Sequence, residues 1–119
     1  MRYVLLIHQG DAPTPRTPEA WAALPEDERN AVSTDYRAIN ETAGVSPGLG
    51  LDSPENAKTV RVQNGQTLAT DGPFAETKEA IAGYLIFEAD DIDSAVALAA
   101  RIPAARMGGA VEVRPVMEW

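Results

Sequence analysis

Asp71 opens the run Asp71-Gly72-Pro73-Phe74, and its type and neighbours mark it as the residue of this chain most suited to chemistry. A carboxylate set in a turn can take up and return a proton when a titrating partner lies within reach. The chain holds one histidine, His8, and imidazole is the side chain that titrates near neutral pH. Asp71 with His8 is therefore a candidate catalytic pair for acid–base work on a small molecule, with no cofactor required. Arg106 and Lys78 could hold an anionic ligand beside it, and Phe74 and Tyr84 could supply aromatic walls. Each of these residues also has a structural reading. Asp-Gly is a turn dipeptide whose carboxylate often bonds backbone amides. His8 falls at the end of an apolar strand, Phe74 could plug one end of the fold, and Arg106 could pair with Glu76, Glu79 or Glu112. Lys78 could be a solvated loop charge, and Tyr84 could belong to the core or a subunit interface. Gly48-x-Gly50 lacks the third glycine and the strand–helix setting of a nucleotide loop.

The elements that must position these groups follow from hydrophobic periodicity. Residues 2–8 are apolar on both alternating faces, as in a central strand covered on both sides. After a stretch with Pro13, Pro15 and Pro18, Thr17-Pro18-Glu19 reads as a helix start, and Pro25 with Glu26, Asp27 and Glu28 as a second. In that second, longer helix Val32, Tyr36, Ile39 and Ala43 share one face. Residues 46–52 form a short strand, and 58–63 with 66–70 flank Asn64-Gly65, a two-residue hairpin signal. Ala80–Glu88 is a second strand apolar on both faces. Asp90 or Asp91 caps a helix whose buried stripe is Ile92, Ala95, Val96, Ala99 and Ile102, and Pro103 ends it. Val111–Pro115 alternates like an edge strand.

The order β-α-β, hairpin, β-α-β predicts an α+β, ferredoxin-like split βαβ sheet with an inserted β-hairpin and both helices on one face. In that topology the first strand lies between strands 80–88 and 111–116 and antiparallel to both. His8, the 71–78 loop and Arg106 are then expected at one end of the sheet. The opposite face is left uncovered, at a cost of about 1.5–3 kcal/mol for each large apolar side chain left in water. A second copy of the chain is the simplest cover, so a homodimer is expected.

Composition bounds the function. The 119 residues make a single domain, 1–119, with 45% apolar and 24% charged residues. The absence of cysteine removes disulfides, thiolate catalysis and cysteine-based metal sites, and one histidine removes a histidine-rich metal site, so no metal is expected. A net charge of −8 without a basic run argues against nucleic acid and against an anionic membrane surface. No apolar run approaches the length of a secretory leader core or a membrane span, so cytoplasm is the expected location. Asn40-Glu41-Thr42 matches a glycosylation sequon but falls within a predicted helix.

The run Thr70–Glu79, then Gly83-Tyr84, Pro103–Arg106, Gly108-Gly109 and Val111–Val116, together with the opening Arg2–Ile7 strand and Thr59–Val62, resembles the DGPF family of YCII-related proteins. The resemblance covers most of the chain and implies the dimeric α/β-barrel fold. It also implies an enzyme-like pocket served by a His–Asp pair, with Asp71 in the place of the aspartate. The histidine of that pair has no counterpart in the helical region here, and His8 stands instead at the end of the first strand. Three readings stay open: a cofactor-independent acid–base enzyme, a non-catalytic ligand-binding or regulatory dimer, and a dimer whose motif serves only the fold or whose surface serves a protein partner.

Overall fold

The computed structural model describes residues 1–15, 17–72 and 80–118. Six strands and four helices follow in the order β1 (Arg2–His8), α1 (Pro18–Ala23), α2 (Glu26–Asn40), β2 (Val45–Gly50), β3 (Lys58–Gln63), β4 (Gln66–Asp71), β5 (Ile81–Glu88), α3 (Ile92–Ala99), the single turn α4 (Pro103–Arg106) and β6 (Ala110–Pro115). Four strands form one sheet in the order β2-β5-β1-β6, each antiparallel to its neighbour. The fold is therefore α+β with the split βαβ, ferredoxin-like order, and β6 is an edge, as Pro115 suggests.

Alternation along β1 sets the layers. Tyr3, Leu5 and Ile7 are buried against the helices, joined by Leu85, Ile39, Leu98 and Ile102. Val4, Leu6 and His8 point the other way and stay half-buried, and their register partners Ile86, Tyr84, Glu112 and Arg114 share that open face. α2 carries three acids in its first turn after Pro25, where they favour the positive end of the helix dipole. Arg29 of α2 donates to the carbonyls of Ala22 and Leu24, satisfying the end of α1. The Thr17 hydroxyl does not cap α1. It accepts from the amide of Thr14 at 2.9 Å and closes the turn before the helix. Asp91 caps α3, accepting from the Ser94 amide at 2.8 Å, and these bonds hold its carboxyl below the usual range.

The stripe of α3 differs from the expected one. Ala95, Leu98, Ala99 and Ile102 are buried, while Ile92 and Val96 are exposed. Positions 95, 98 and 99 form one row of α3, which ends at Ala99 and not at the expected Pro103, and Ile102 is buried from its place as the extended residue that precedes α4. Val96 lies about a third of a turn away from that row.

β2 is bent. Pro47 pairs with Leu85 and Gly50 with Gly83, so three steps on β2 oppose two on β5, a bulge at Gly48-Leu49. Gly48 is required there, because a Cβ would overlap the carbonyl oxygen of Tyr84. The β3–β4 ribbon stands apart from the sheet. Its turn is Asn64-Gly65, with φ of 51° and 75°, the left-handed pair that a type I′ hairpin turn needs.

Gly48→Ala is expected to destabilise the fold by about 1–3 kcal/mol, as overpacking does, and Ile39→Ala by about 2–5 kcal/mol. Urea unfolding followed by circular dichroism measures both. An unchanged midpoint for Gly48→Ala would contradict the close approach of β2 to β5.

Candidate functional site

The β2 bulge opens space. A cleft of about 550 Å³ lies among α2, β2, β5 and the connection between β1 and α1, a volume that suits a small organic molecule. Its lining includes the core residues Ile7 and Leu85, so part of its wall is the hydrophobic core itself. Tyr36 and Asn40 line it from α2, four residues apart and so on one helix face. Asp52 and Ser53, just beyond β2, add a carboxylate and a hydroxyl.

Tyr36 is a polar group of the cleft whose environment is altered. Burial pushes its hydroxyl above the ordinary value of 10.0, and the nearby Arg106 guanidinium pulls it the other way. At neutral pH the phenol keeps its proton and can donate to a carbonyl or hydroxyl oxygen. The Asn40 amide can both donate and accept. The cleft can thus hold a molecule with an apolar body and one or two oxygen functions.

The residues singled out in the sequence are distributed more widely. His8 sits beside the starts of β5 and β6, paired in register with Ile81 and Ala110, which is the strand geometry expected for it. Its Nε2 lies 3.9 Å from Oε1 of Glu112, and Glu112 also accepts from Arg114. Asp71 ends β4 and accepts from Lys58 Nζ at 2.6 Å, directly across the ribbon, with its side chain 85% exposed. No ion pair joins His8 to Asp71 among the described residues. Arg106 bonds Asp35 of α2 at 2.7 Å, a partner outside the set Glu76, Glu79 and Glu112, and so clamps α4 onto α2. Tyr84 lines the cleft. Phe74 and Lys78 lie outside the described residues.

Tyr36 and Asn40 are the site residues that sequence reasoning missed. Tyr36 entered only as a member of an apolar stripe, and Asn40 only within a sequon. The usable signal was a phenol and an amide at i and i+4 on one face of a helix, followed by a glycine-bearing strand. Among the described residues no group of three or more His, Asp or Glu is placed to hold a metal ion, and no helix is long and apolar enough to cross a membrane.

A family model, the YCII-related domain, matches residues 1–119. An uncharacterized protein of Rhizobium meliloti (strain 1021) is 33% identical over 119 residues, spanning 98% of this chain and 92% of its own length.

The raised Tyr36 value has a consequence for stability. Between the unfolded value near 10.0 and the higher folded one, the unfolded chain loses a proton that the folded chain keeps, so stability falls as pH rises through that window. Tyr36→Phe should remove that part of the alkaline loss, read as a smaller fall of the urea midpoint above pH 10.0. An alkaline loss equal in wild type and Tyr36→Phe would contradict the buried setting of Tyr36.

Proposed function

We propose that this chain, which belongs to the YCII-related family, binds an uncharged small organic molecule in the cleft beside α2 and works as a homodimer. The observation that carries the reading is the cleft itself: an apolar wall continuous with the core, faced by a protonated Tyr36 hydroxyl and the Asn40 amide. Orientation would come from those two groups and affinity from the apolar wall, the usual division in a ligand pocket. An anionic ligand at Arg106 is less well supported, since Asp35 already answers that guanidinium at 2.7 Å.

The dimer rests on the open face of the sheet. Val4, Leu6 and Ile86 form an apolar centre there, rimmed by Arg2, Glu88, Glu112 and Arg114. Two arginines balance two glutamates on that face, although the whole chain carries −8. Two copies can therefore meet there without the repulsion their net charge would impose elsewhere.

Acid–base catalysis by His8 and Asp71 is the second reading. Its support is the half-buried imidazole at the end of β1, with Glu112 as a carboxylate at hand.

A thermal-shift screen of neutral and anionic small molecules tests the first reading. A ligand at 100 times its dissociation constant should add about 2.7 kcal/mol of stability. Its affinity should fall by up to about tenfold in Tyr36→Phe and again in Asn40→Ala, each removing one hydrogen bond. Ligands bound equally well by both variants would place binding elsewhere. Turnover of a bound molecule, lost in His8→Gln and in Asp71→Asn, would favour the catalytic reading.

A further inference from the structure

The polar groups of the cleft beside α2 are unevenly shared between donors and acceptors. Among the described residues that line it there is no Lys, Arg or His, and Asp52 is the one charged side chain. No cation pairs with Asp52 among the described residues. Its Oδ1 accepts from the adjacent Ser53 amide at 2.7 Å. A carboxylate has room for about four hydrogen bonds, so most of its accepting capacity is left over.

Hydrogens are scarcer. The Ser53 hydroxyl donates to Oε1 of Glu55 at 3.2 Å, and the Thr17 hydroxyl donates to the Thr14 carbonyl at 2.9 Å. Gln9 Nε2 gives one of its protons to the Ala12 carbonyl, 3.3 Å away. Pro15, Pro47 and Pro54 line the cleft without an amide proton. Tyr36 and Asn40, by contrast, make no side-chain hydrogen bond among the described residues. α2 therefore offers hydrogens, while the segment after β2 offers the Asp52 carboxylate and the lone pairs of Ser53 Oγ.

A guest that satisfies both segments needs an oxygen for Tyr36 and a hydrogen for Asp52. A net charge on it would work against binding. An anion would leave water for an apolar wall with no cation among the described lining residues to answer it. An ammonium would give up its hydration for a carboxylate that is exposed, and whose pull water screens.

We propose that Asp52 is the specificity-determining residue of the cleft, and that the guest is a neutral carboxamide setting its carbonyl oxygen against Tyr36 and its N–H against Asp52. This rests on the reading of the cleft as a small-molecule site and names the class of molecule it takes. A hydrogen bond from an N–H to a carboxylate is charge-assisted and stronger than one between neutral partners. Its loss, from either side, should cost about tenfold in affinity.

Isothermal titration with N-methyl biphenylacetamide and methyl biphenylacetate reads that bond directly, because the ester has an oxygen where the amide has its N–H. Wild type should bind the amide about tenfold more tightly than the ester. Asp52→Ala should bring the two affinities together, chiefly by weakening the amide. Tyr36→Phe should weaken both probes alike and preserve their ratio. A ratio of two probes on one protein is also insensitive to a small change in folding stability. Equal affinities in wild type, or a preference that survives Asp52→Ala, would overturn the role of Asp52 and leave the cleft reading standing. Binding of neither probe, or affinities for both untouched by Tyr36→Phe, would overturn the cleft reading and this inference with it.

Discussion

The fold depends on how β1 is held: paired on both edges by β5 and β6, and covered by helices on one side only. Its inward row, Tyr3, Leu5 and Ile7, is sealed under α2 and α3. A strand cannot offer apolar side chains to one face alone when its sequence is apolar at every position, because successive residues must alternate. Val4 and Leu6 are therefore forced onto the open face whatever the helices do. From this single constraint come both the well-packed interior and an apolar row on the open face of the sheet.

The cleft has a related origin. β2 must lie close enough to β5 to pair with it, yet its run Val45-Ser46-Pro47-Gly48-Leu49-Gly50 contains a proline without an amide proton and two glycines. The strand responds with a bulge, and Gly48 lets its backbone come against the Tyr84 carbonyl. Tyr36 and Asn40 line the cleft beside that bend. Space, a phenol and an amide thus coincide through the irregularity of one strand. Arg106 does double service nearby, fixing α4 to α2 through Asp35 while opposing the effect of burial on Tyr36.

The elements were legible in the sequence because local physics dictates them. Asn64-Gly65 fixes its turn through two left-handed residues, the alternation of 58–71 fixes the ribbon, and the order of elements fixes the sheet. The stripe of α3 was misread by one row. Hydrophobicity alone favours Ile92 and Val96, while packing distance favours the alanines. The cleft was not legible at all, since four segments distant in sequence meet there and no local pattern announces the bulge that opens it. Of the residues chosen for chemistry, Tyr84 lines the cleft, while His8, Asp71 and Arg106 each meet a counter-ion of their own.

Asp71 shows why a conspicuous motif need not mark a completed site within one chain. The Asn64-Gly65 turn sets the register of the ribbon, and that register puts Lys58 directly opposite Asp71. The pair is a product of strand geometry rather than of a pocket, and with side chains 69% and 85% exposed it lies in water. Exposed pairs of this kind contribute about 0–1 kcal/mol, screened further by salt. Such a weak hold leaves the carboxylate in water at the base of the ribbon, and its pairing is that of any exposed cross-strand pair.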